Sequence, residues 1–388
     1  VGEQSSSGII IEGLRRMEYR GYDSAGIAMI SEGSIVSDKK AGKLANLVDS
    51  LAENPLPKAQ IGIGHTRWAT HGPPNDVNAH PHLGQQRRVA VVHNGIIENF
   101  TTLREELESD NADLISETDT EIAAHLLERT VAETGDLTTA MQQVCRRLEG
   151  AFTLVAIDAN DPERVVAARR NSPLVVGLGQ GENFLGPDVA AFIEHTRDAL
   201  ELAQDQVVTI TRDSVEVTDF DGTPATGKQY YVDWDLSAAE KGGYDWFMRK
   251  EIFEQPEVIS DALLGRHTPE GTLQLDEVRI SEGELRDVDR IVVIGCGTAH
   301  YAGLVAKYAI EHWTRIPCEV ELAHEFRYRD PILTRNTLVV AISQSGETAD
   351  TLMAIRYARQ QRAKVLAICN TNGFFFNDTA TTEIYTHA

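Results

Sequence analysis

Cysteine is scarce in this chain. There are four in 388 residues, Cys145, Cys296, Cys318 and Cys369. They are widely spaced and none forms a Cys-x-x-Cys pair. That argues against a zinc-binding framework or a disulfide scaffold and fits a reducing compartment. Long apolar runs are missing as well. No stretch approaches the ~18 apolar residues of a membrane-spanning helix, and no secretory signal precedes the first motif, so a cytoplasmic protein is expected. Positive charge is in short supply: 36 Lys and Arg against 59 Asp and Glu leave a formal net charge of −23. Such a field repels nucleic acid unless a basic patch is hidden, and none is visible. A Walker phosphate loop, an SGGxDS pyrophosphate loop and an Asp-Asp-containing phosphoribosyl loop are all absent. A hydrophobic share of 42% is ordinary for globular protein, and the length suggests two or three domains.

Two strand ends dominate what is present. Residues 61–72 read IGIGHTRWATHG and residues 89–95 read VAVVHNG. Each starts as an Ile- or Val-rich run, as a buried strand does, and ends in a polar cluster followed by Gly. Arg67 offers a planar fork suited to a carboxylate. Asn94 and Gly95 offer a side-chain amide and an unobstructed backbone N–H, the two donor types of an oxyanion hole. A polar loop with a chance Arg would explain one such end but not two in so short a span.

These residues carry a resemblance. HTRWATHG, NAHPH at residues 78–82 and HNGIIEN at residues 93–99 resemble the glutaminase domain of class II glutamine amidotransferases. EYRGYDSAG at residues 18–26 and SETDTE at residues 116–121 narrow it to the branch that aminates fructose-6-phosphate. Five motifs in one order are far more specific than any one of them. The resemblance covers about residues 1–372. It implies a four-layer α+β sandwich of the N-terminal-nucleophile type, with a generic α+β domain as the fallback. It also implies a cysteine nucleophile at the mature N-terminus with its α-amino group as base. Neither is present, so the chain is expected to lack its first residues. By the same resemblance Arg20, Arg67, Trp68, Thr70, His71, His80 and Asp119 bind glutamine, and Asn94 and Gly95 form the oxyanion hole. Asp119 after Ser116 and Thr118 has a second reading, a helix cap. An Asp for the α-ammonium with Arg67 for the α-carboxylate clamps an amino acid at both ends, which favours the functional reading. His80 and His82 lack a carboxylate or Cys to complete a metal set, so no metal site is expected, and no cofactor is implied.

Residues 1–219 are thus expected as the glutaminase domain, with helices over residues 8–19, 99–108, 117–133 and 137–148 and strand-like runs between 151 and 218. Residues 220–236, beginning FDGTPATGK, read as a linker. Residues 250–264 read as a helix that bends or breaks near Pro256. After that, strands and helices alternate with Gly- and Ser-rich strand ends, the pattern of a doubly wound parallel sheet. Ligands in such sheets bind at the carboxyl ends of strands, near helix N-termini that attract anions. SQSGETADT at residues 343–351 and GCGT at residues 295–298 resemble the phosphate loops of sugar-isomerase (SIS) domains. On that match Thr298, Ser343, Gln344, Ser345 and Thr348 hold a sugar phosphate. Ala299 stands where those domains often have Ser, so one hydroxyl contact is missing. A helix cap plus a turn is the plainer reading of the same loop. Residues 237–372 would then be a first, incomplete SIS domain. Residues 373–388, GFFFNDTATTEIYTHA, show no clear period and read as a non-native tail. The expected activity is transfer of the glutamine amide nitrogen to fructose-6-phosphate, in a homo-oligomer, probed against a rival in which the chain only binds glutamine and a sugar phosphate.

Overall fold

In the computed structural model, residues 1–18, 23–69, 71–232, 244, 246–263, 266, 278, 280–344, 346, 348–369 and 382–385 are described. The chain divides into two compact units, residues 1–240 and 241–388.

The first unit opens with helix α1 (Ser6–Met17), strands β1 (Ser24–Ser31) and β2 (Ser34–Ala41), helix α2 (Leu44–Glu53) and strand β3 (Gly62–Arg67). Strands β4 (His82–Leu83) and β5 (Val89–Ile97) lead into helices α3 (Phe100–Ser109), α4 (Asp119–Thr134) and α5 (Leu137–Arg147). Antiparallel strands follow: β6 (Gly150–Asp158), β7 (Asp161–Arg170), β8 (Val175–Leu178), β9 (Asn183–Gly186), β10 (Asp198–Glu201), β11 (Gln206–Ile210), β12 (Val215–Asp219), β13 (Pro224–Ala225) and β14 (Lys228–Tyr231). They form a seven-stranded sheet in the order β13-β12-β11-β7-β6-β5-β4, a three-stranded sheet β2-β1-β3 and a four-stranded sheet β14-β10-β8-β9.

Burial sorts these into four layers. One core, with Ala28, Ile63, Val92, Ile157, Val176 and Val208, lies between the seven-stranded sheet and the other two. A second, with Val91, Leu126, Leu127, Met141 and Phe152, packs α3, α4 and α5 on the outer face of the seven-stranded sheet. Smaller clusters around Leu14, Ala25 and Leu47 seat α1 and α2 against the three-stranded sheet. A strand with a core on both faces needs apolar residues at every position, and β1 is buried at all of Ser24–Ile30. Helix α4 starts at the Thr118 cap, whose side chain accepts from Glu121 N, and stops at Gly135 in the left-handed conformation.

Residues 224–231, inside the stretch read as a linker, are strands of this unit: β13 pairs with β12 and β14 with β10. Phe220 is buried in the helical core layer. The turn residues of FDGTPATGK make a hairpin here, which composition alone does not separate from a linker.

The second unit contains helix α6 (Phe247–Leu263), a short α7 (Glu282–Arg286), strand β15 (Arg290–Gly295), helix α8 (Thr298–Thr314), strand β16 (Cys318–Leu322), helix α9 (Ala323–Tyr328), strand β17 (Thr337–Ser343), helix α10 (Ala349–Gln360) and strands β18 (Lys364–Cys369) and β19 (Thr382–Tyr385). The sheet order is β16-β15-β17-β18-β19 and every pairing is parallel. Helix α6 runs through Pro256 as one element. The missing N–H removes one helical hydrogen bond, and the turns on either side continue. Strand β19 lies within the stretch expected to have no regular period.

Candidate functional site

Strands β3 and β5 deliver the predicted residues at their ends. Arg67 is the last residue of β3 and is buried. Its Nη2 donates to the His71 carbonyl, while its Nη1, although buried, has no hydrogen-bond partner among the described residues. Burial lowers the guanidinium from its ordinary value, opposed by the charges of Asp119 and Asp23. Asp23 also fixes the segment after β3 by accepting from Ala69 N at 2.9 Å. His71 packs its ring 4.9 Å from that of Phe100, and its buried Nε2 is likewise unpartnered. Trp68 is exposed.

Asp119 is the first residue of α4, so Thr118 rather than Asp119 caps the helix. The Asp119 side chain is buried; Oδ2 accepts from Ile97 N at 2.9 Å, and Oδ1 lies 3.6 Å from His93 Nδ1. Burial pushes its carboxyl up, but the facing His93, the Ile97 N–H and the nearby His71 outweigh it and hold the value at about 2. A buried, ionised carboxylate therefore stands within electrostatic reach of Arg67.

Asn94 and Gly95 sit in β5, where the buried pattern gives way to exposure. Ser172 holds Asn94 from two sides: Asn94 Nδ2 donates to Ser172 Oγ at 3.3 Å, and Ser172 Oγ donates to the Asn94 carbonyl at 3.2 Å. Gly95 has φ +134°, and a Cβ there would lie 2.0 Å from the Ala151 carbonyl oxygen, so the position requires glycine.

Beneath these strand ends lies a cluster of histidines, of which His80, His82 and His93 are buried and His65 is half-buried. His65 and His80 stack with ring centroids 4.5 Å apart, and His80 meets His82 edge-on at 5.1 Å. Thr120 Oγ1 lies 3.0 Å from His93 Nδ1 and 3.1 Å from His80 Nε2, and Thr118 Oγ1 lies 3.0 Å from His82 Nε2. Burial, then neighbouring positive charge, pushes His65 down to about 3 and His80 and His82 well below their ordinary value. Threonine hydroxyls thus occupy the nitrogens of His80 and His82.

In the second unit, β15 and β17 are neighbours and end side by side. Gly297, with φ 56° and ψ −128°, turns β15 into α8, which starts at Thr298. Ser343 ends β17; its Oγ accepts from Gly346 N at 3.1 Å and lies 3.4 Å from Thr348 Oγ1. Thr348 precedes α10 without a side-chain capping bond, and Gln344 is exposed. The expected loop is therefore a strand-to-helix turn at the carboxyl edge of a parallel sheet. Arg20, Thr70 and Ser345, also predicted, lie outside the described residues.

Sequence reasoning passed over Asp23, Ser172, Thr118 and Thr120. Each is a small polar residue that holds a neighbouring backbone or side-chain group in place, and only the SETDTE string hinted at the two threonines.

The family model for a glutamine amidotransferase domain matches residues 65–192, and that for a SIS domain matches residues 284–388. A protein from Streptomyces coelicolor bearing the name glutamine--fructose-6-phosphate aminotransferase [isomerizing] is 65% identical over 388 residues, 100% of this chain and 63% of its own length. One of the same name from Corynebacterium efficiens is 62% identical over 98% of this chain and 61% of its own. A solved C-terminal domain of glucosamine-fructose-6-phosphate aminotransferase from Francisella tularensis is 35% identical, covering 38% of this chain and 43% of that one at a TM-score of 0.35. The chain thus spans about three-fifths of the length of these curated relatives, and the Streptomyces coelicolor match covers all 388 residues, those after 372 included. Among the described residues no helix is long and apolar enough to cross a membrane. The chain carries an amidotransferase domain followed by a SIS domain, and over its whole length it is similar to a protein bearing the name of an isomerizing glutamine--fructose-6-phosphate aminotransferase.

Proposed function

We propose that the whole protein transfers the amide nitrogen of glutamine to fructose-6-phosphate, giving glucosamine-6-phosphate and glutamate, the first step of hexosamine and UDP-N-acetylglucosamine synthesis. The observation that carries this reading is the pairing of a buried Arg67 with a free Nη1 and a buried, ionised Asp119. A free amino acid presents a carboxylate and an ammonium, and the two side chains are complementary to those ends. A thiol attacks the amide carbon, the C=O electrons move to oxygen, and Asn94 Nδ2 and Gly95 N–H donate to the resulting oxyanion. The thiol's proton passes to the amide nitrogen, and collapse of the tetrahedral species expels ammonia and leaves a thioester that water hydrolyses to glutamate and free thiol. None of the chain's four cysteines suits the attacking role. Cys145 is fully buried in the helical core, where burial pushes its thiol up and out of reach of substrate. Cys318 and Cys369 are buried strand residues, and Cys296 belongs to the second unit. The resemblance assigns the attack to a cysteine at the mature N-terminus, which is none of these four.

For the sugar phosphate, Ser343, Gln344, Ser345, Thr348 and the first turn of α10 supply donors, with Thr298 at the neighbouring strand end. The helix dipole favours an anion there. The protein acts in the cytoplasm as a homo-oligomer, a dimer at full length, without nucleic acid, membrane or organic cofactor.

Glutamate, the product, tests the clamp without any reaction. Calorimetric titration should show Arg67→Lys and Asp119→Asn each weakening glutamate binding by about tenfold or more, the cost of one charge-assisted hydrogen bond. Wild-type affinity in both variants would remove the clamp from the proposal. For the second site, Ser345→Ala with Thr348→Ala at the matching positions of the Streptomyces coelicolor relative should cost at least about tenfold in fructose-6-phosphate affinity. Unchanged affinity would leave SQSGET as a helix cap.

A further inference from the structure

The carboxyl edge of the parallel sheet brings together three side chains that the proposed transfer does not use. Cys296 follows β15, His324 is the second residue of α9 after β16, and Asp350 is the second residue of α10 after β17. Strands β16, β15 and β17 are adjacent in the sheet, so the fold sets these three junctions in a row. One ligand atom from each, the thiol sulfur, an imidazole nitrogen and a carboxylate oxygen, lies within 4.8 Å of the other two. All three residues are partly accessible, so an ion can reach them from solvent.

We propose that Cys296, His324 and Asp350 form a three-ligand site for a borderline-soft divalent ion of the zinc class. The donor set selects the ion. Thiolate and imidazole favour Zn²⁺ and its neighbours over Mg²⁺ and Ca²⁺, which take oxygen. Tetrahedral zinc with bonds of about 2.0–2.3 Å needs its ligand atoms roughly 3.3–3.7 Å apart, a contraction that small side-chain rotations supply. Three protein ligands leave a fourth position for water. The charges balance: the thiol gives up its proton to solvent on binding, and thiolate plus carboxylate neutralise the dication. Surrounding groups support the ligands. Thr351 Oγ1, on a fully buried residue, lies 4.0 Å from Cys296 Sγ, and Glu325 Oε1 lies 3.9 Å from His324 Nε2. Such outer partners orient metal ligands. The three residues stand far apart in the sequence and show none of the short spacings by which metal sites are read, which is why no metal site was expected.

The test uses the 388-residue chain with Co²⁺ as a spectroscopic stand-in and Zn²⁺ in competition with a chromophoric chelator. One equivalent of Co²⁺ should give the thiolate-to-metal charge-transfer band and the intense visible bands of a four-coordinate ion. Co²⁺ binding should release a proton, and Zn²⁺ should abolish both by displacing the cobalt, with no further proton released. Cys296→Ser should lose the charge-transfer band. His324→Ala and Asp350→Asn, both at accessible positions, should each weaken Zn²⁺ binding by at least about tenfold, with circular dichroism checking that every variant is folded. The buried histidines of the first unit could also capture an ion, but without sulfur ligation. A cobalt complex lacking the charge-transfer band, a band that survives Cys296→Ser, or Zn²⁺ affinity unchanged in both other variants overturns the proposal.

Discussion

Asn94 and Gly95 occupy adjacent positions on β5 but are held there for different reasons, and the difference can be measured. The Asn94 amide is oriented by Ser172 and makes no contribution to the core, since its side chain is exposed. Asn94→Ala at the matching position of the Streptomyces coelicolor relative should therefore leave glutamine binding and folding nearly intact while lowering turnover by about 10²–10³, the usual loss for one oxyanion donor. Ser172→Ala, which frees the amide to rotate, should give a smaller loss of the same kind. If Asn94→Ala instead raises KM and spares kcat, the amide is a binding group. Gly95 is different. Its φ of +134° and the Ala151 carbonyl 2.0 Å from an added Cβ leave no room for a side chain. Gly95→Ala should cost about 1–3 kcal/mol of stability through backbone strain and displacement of β6, seen as a lower Tm of the first unit. An unchanged Tm would mean that β5 relaxes freely, and the oxyanion reading of Gly95 would lose its rigid support.

The turn between β4 and β5 shows how one buried acid fixes an element. Glu128, buried in the middle of α4, accepts from Gln86 N at 2.7 Å, from Arg88 N at 2.8 Å and from Val89 N at 3.3 Å. These N–H groups belong to the hairpin that launches β5 toward His93, Asn94 and Gly95. Glu128→Gln keeps the shape but turns an NH₂ toward backbone donors. It should cost about 2–3 kcal/mol, the scale of a charge-assisted bond lost with a donor left unpaired. Amide hydrogen exchange at Gln86, Arg88 and Val89 should then accelerate; unchanged protection would mean the carboxylate does not hold the hairpin. Nothing in the sequence pointed to Glu128, which reads as one more acid in a charged helix. Other elements were plain. Helices α3, α4 and α5 and strand β5 lie within a few residues of their expected limits, because periodicity and a cap or a Gly marked them. Strand β2, SIVSDKKA, was missed because it lies at the sheet edge, where polar residues are admitted. Arg67, Asn94, Gly95 and Asp119 were legible since each stands where an apolar run or a helix begins or ends. Their supports were not, because a residue that only orients another leaves no periodic signal.

At the scale of the whole molecule, the two units should answer acid differently. His65 is held at about 3 and His80 and His82 well below their ordinary value, first by burial and then by one another's charge and that of Arg67 or Lys39. All three are neutral in the folded unit at pH 7. In the unfolded chain each titrates near 6.5. Below that pH the unfolded state binds protons that the folded state refuses, so stability is full above pH ~6.5 and falls as the pH drops. Once the unfolded histidines are charged, each contributes a loss of about 1.4 kcal/mol per pH unit, or about 4 kcal/mol per unit for the three. Asp119 adds to this only in stronger acid: its folded value of about 2 lies below its ordinary 3.8, so its contribution is present above pH ~4 and is lost as the pH falls toward 2. The first unit should therefore lose stability steadily below pH ~6.5, before most carboxylates are protonated. Among the described residues of the second unit no histidine is buried, so it carries no equivalent load. Urea denaturation at pH 7.5, 6.5 and 5.5, followed unit by unit through hydrogen exchange, should show a steep loss for residues 1–240 and a shallow one for residues 241–388. His80→Asn should reduce the first unit's slope by about one proton, because Asn can still meet the Thr120 hydroxyl but does not titrate. Equal slopes in the two units, or a slope indifferent to His80→Asn, would mean that the histidine cluster does not set the acid limit of this protein.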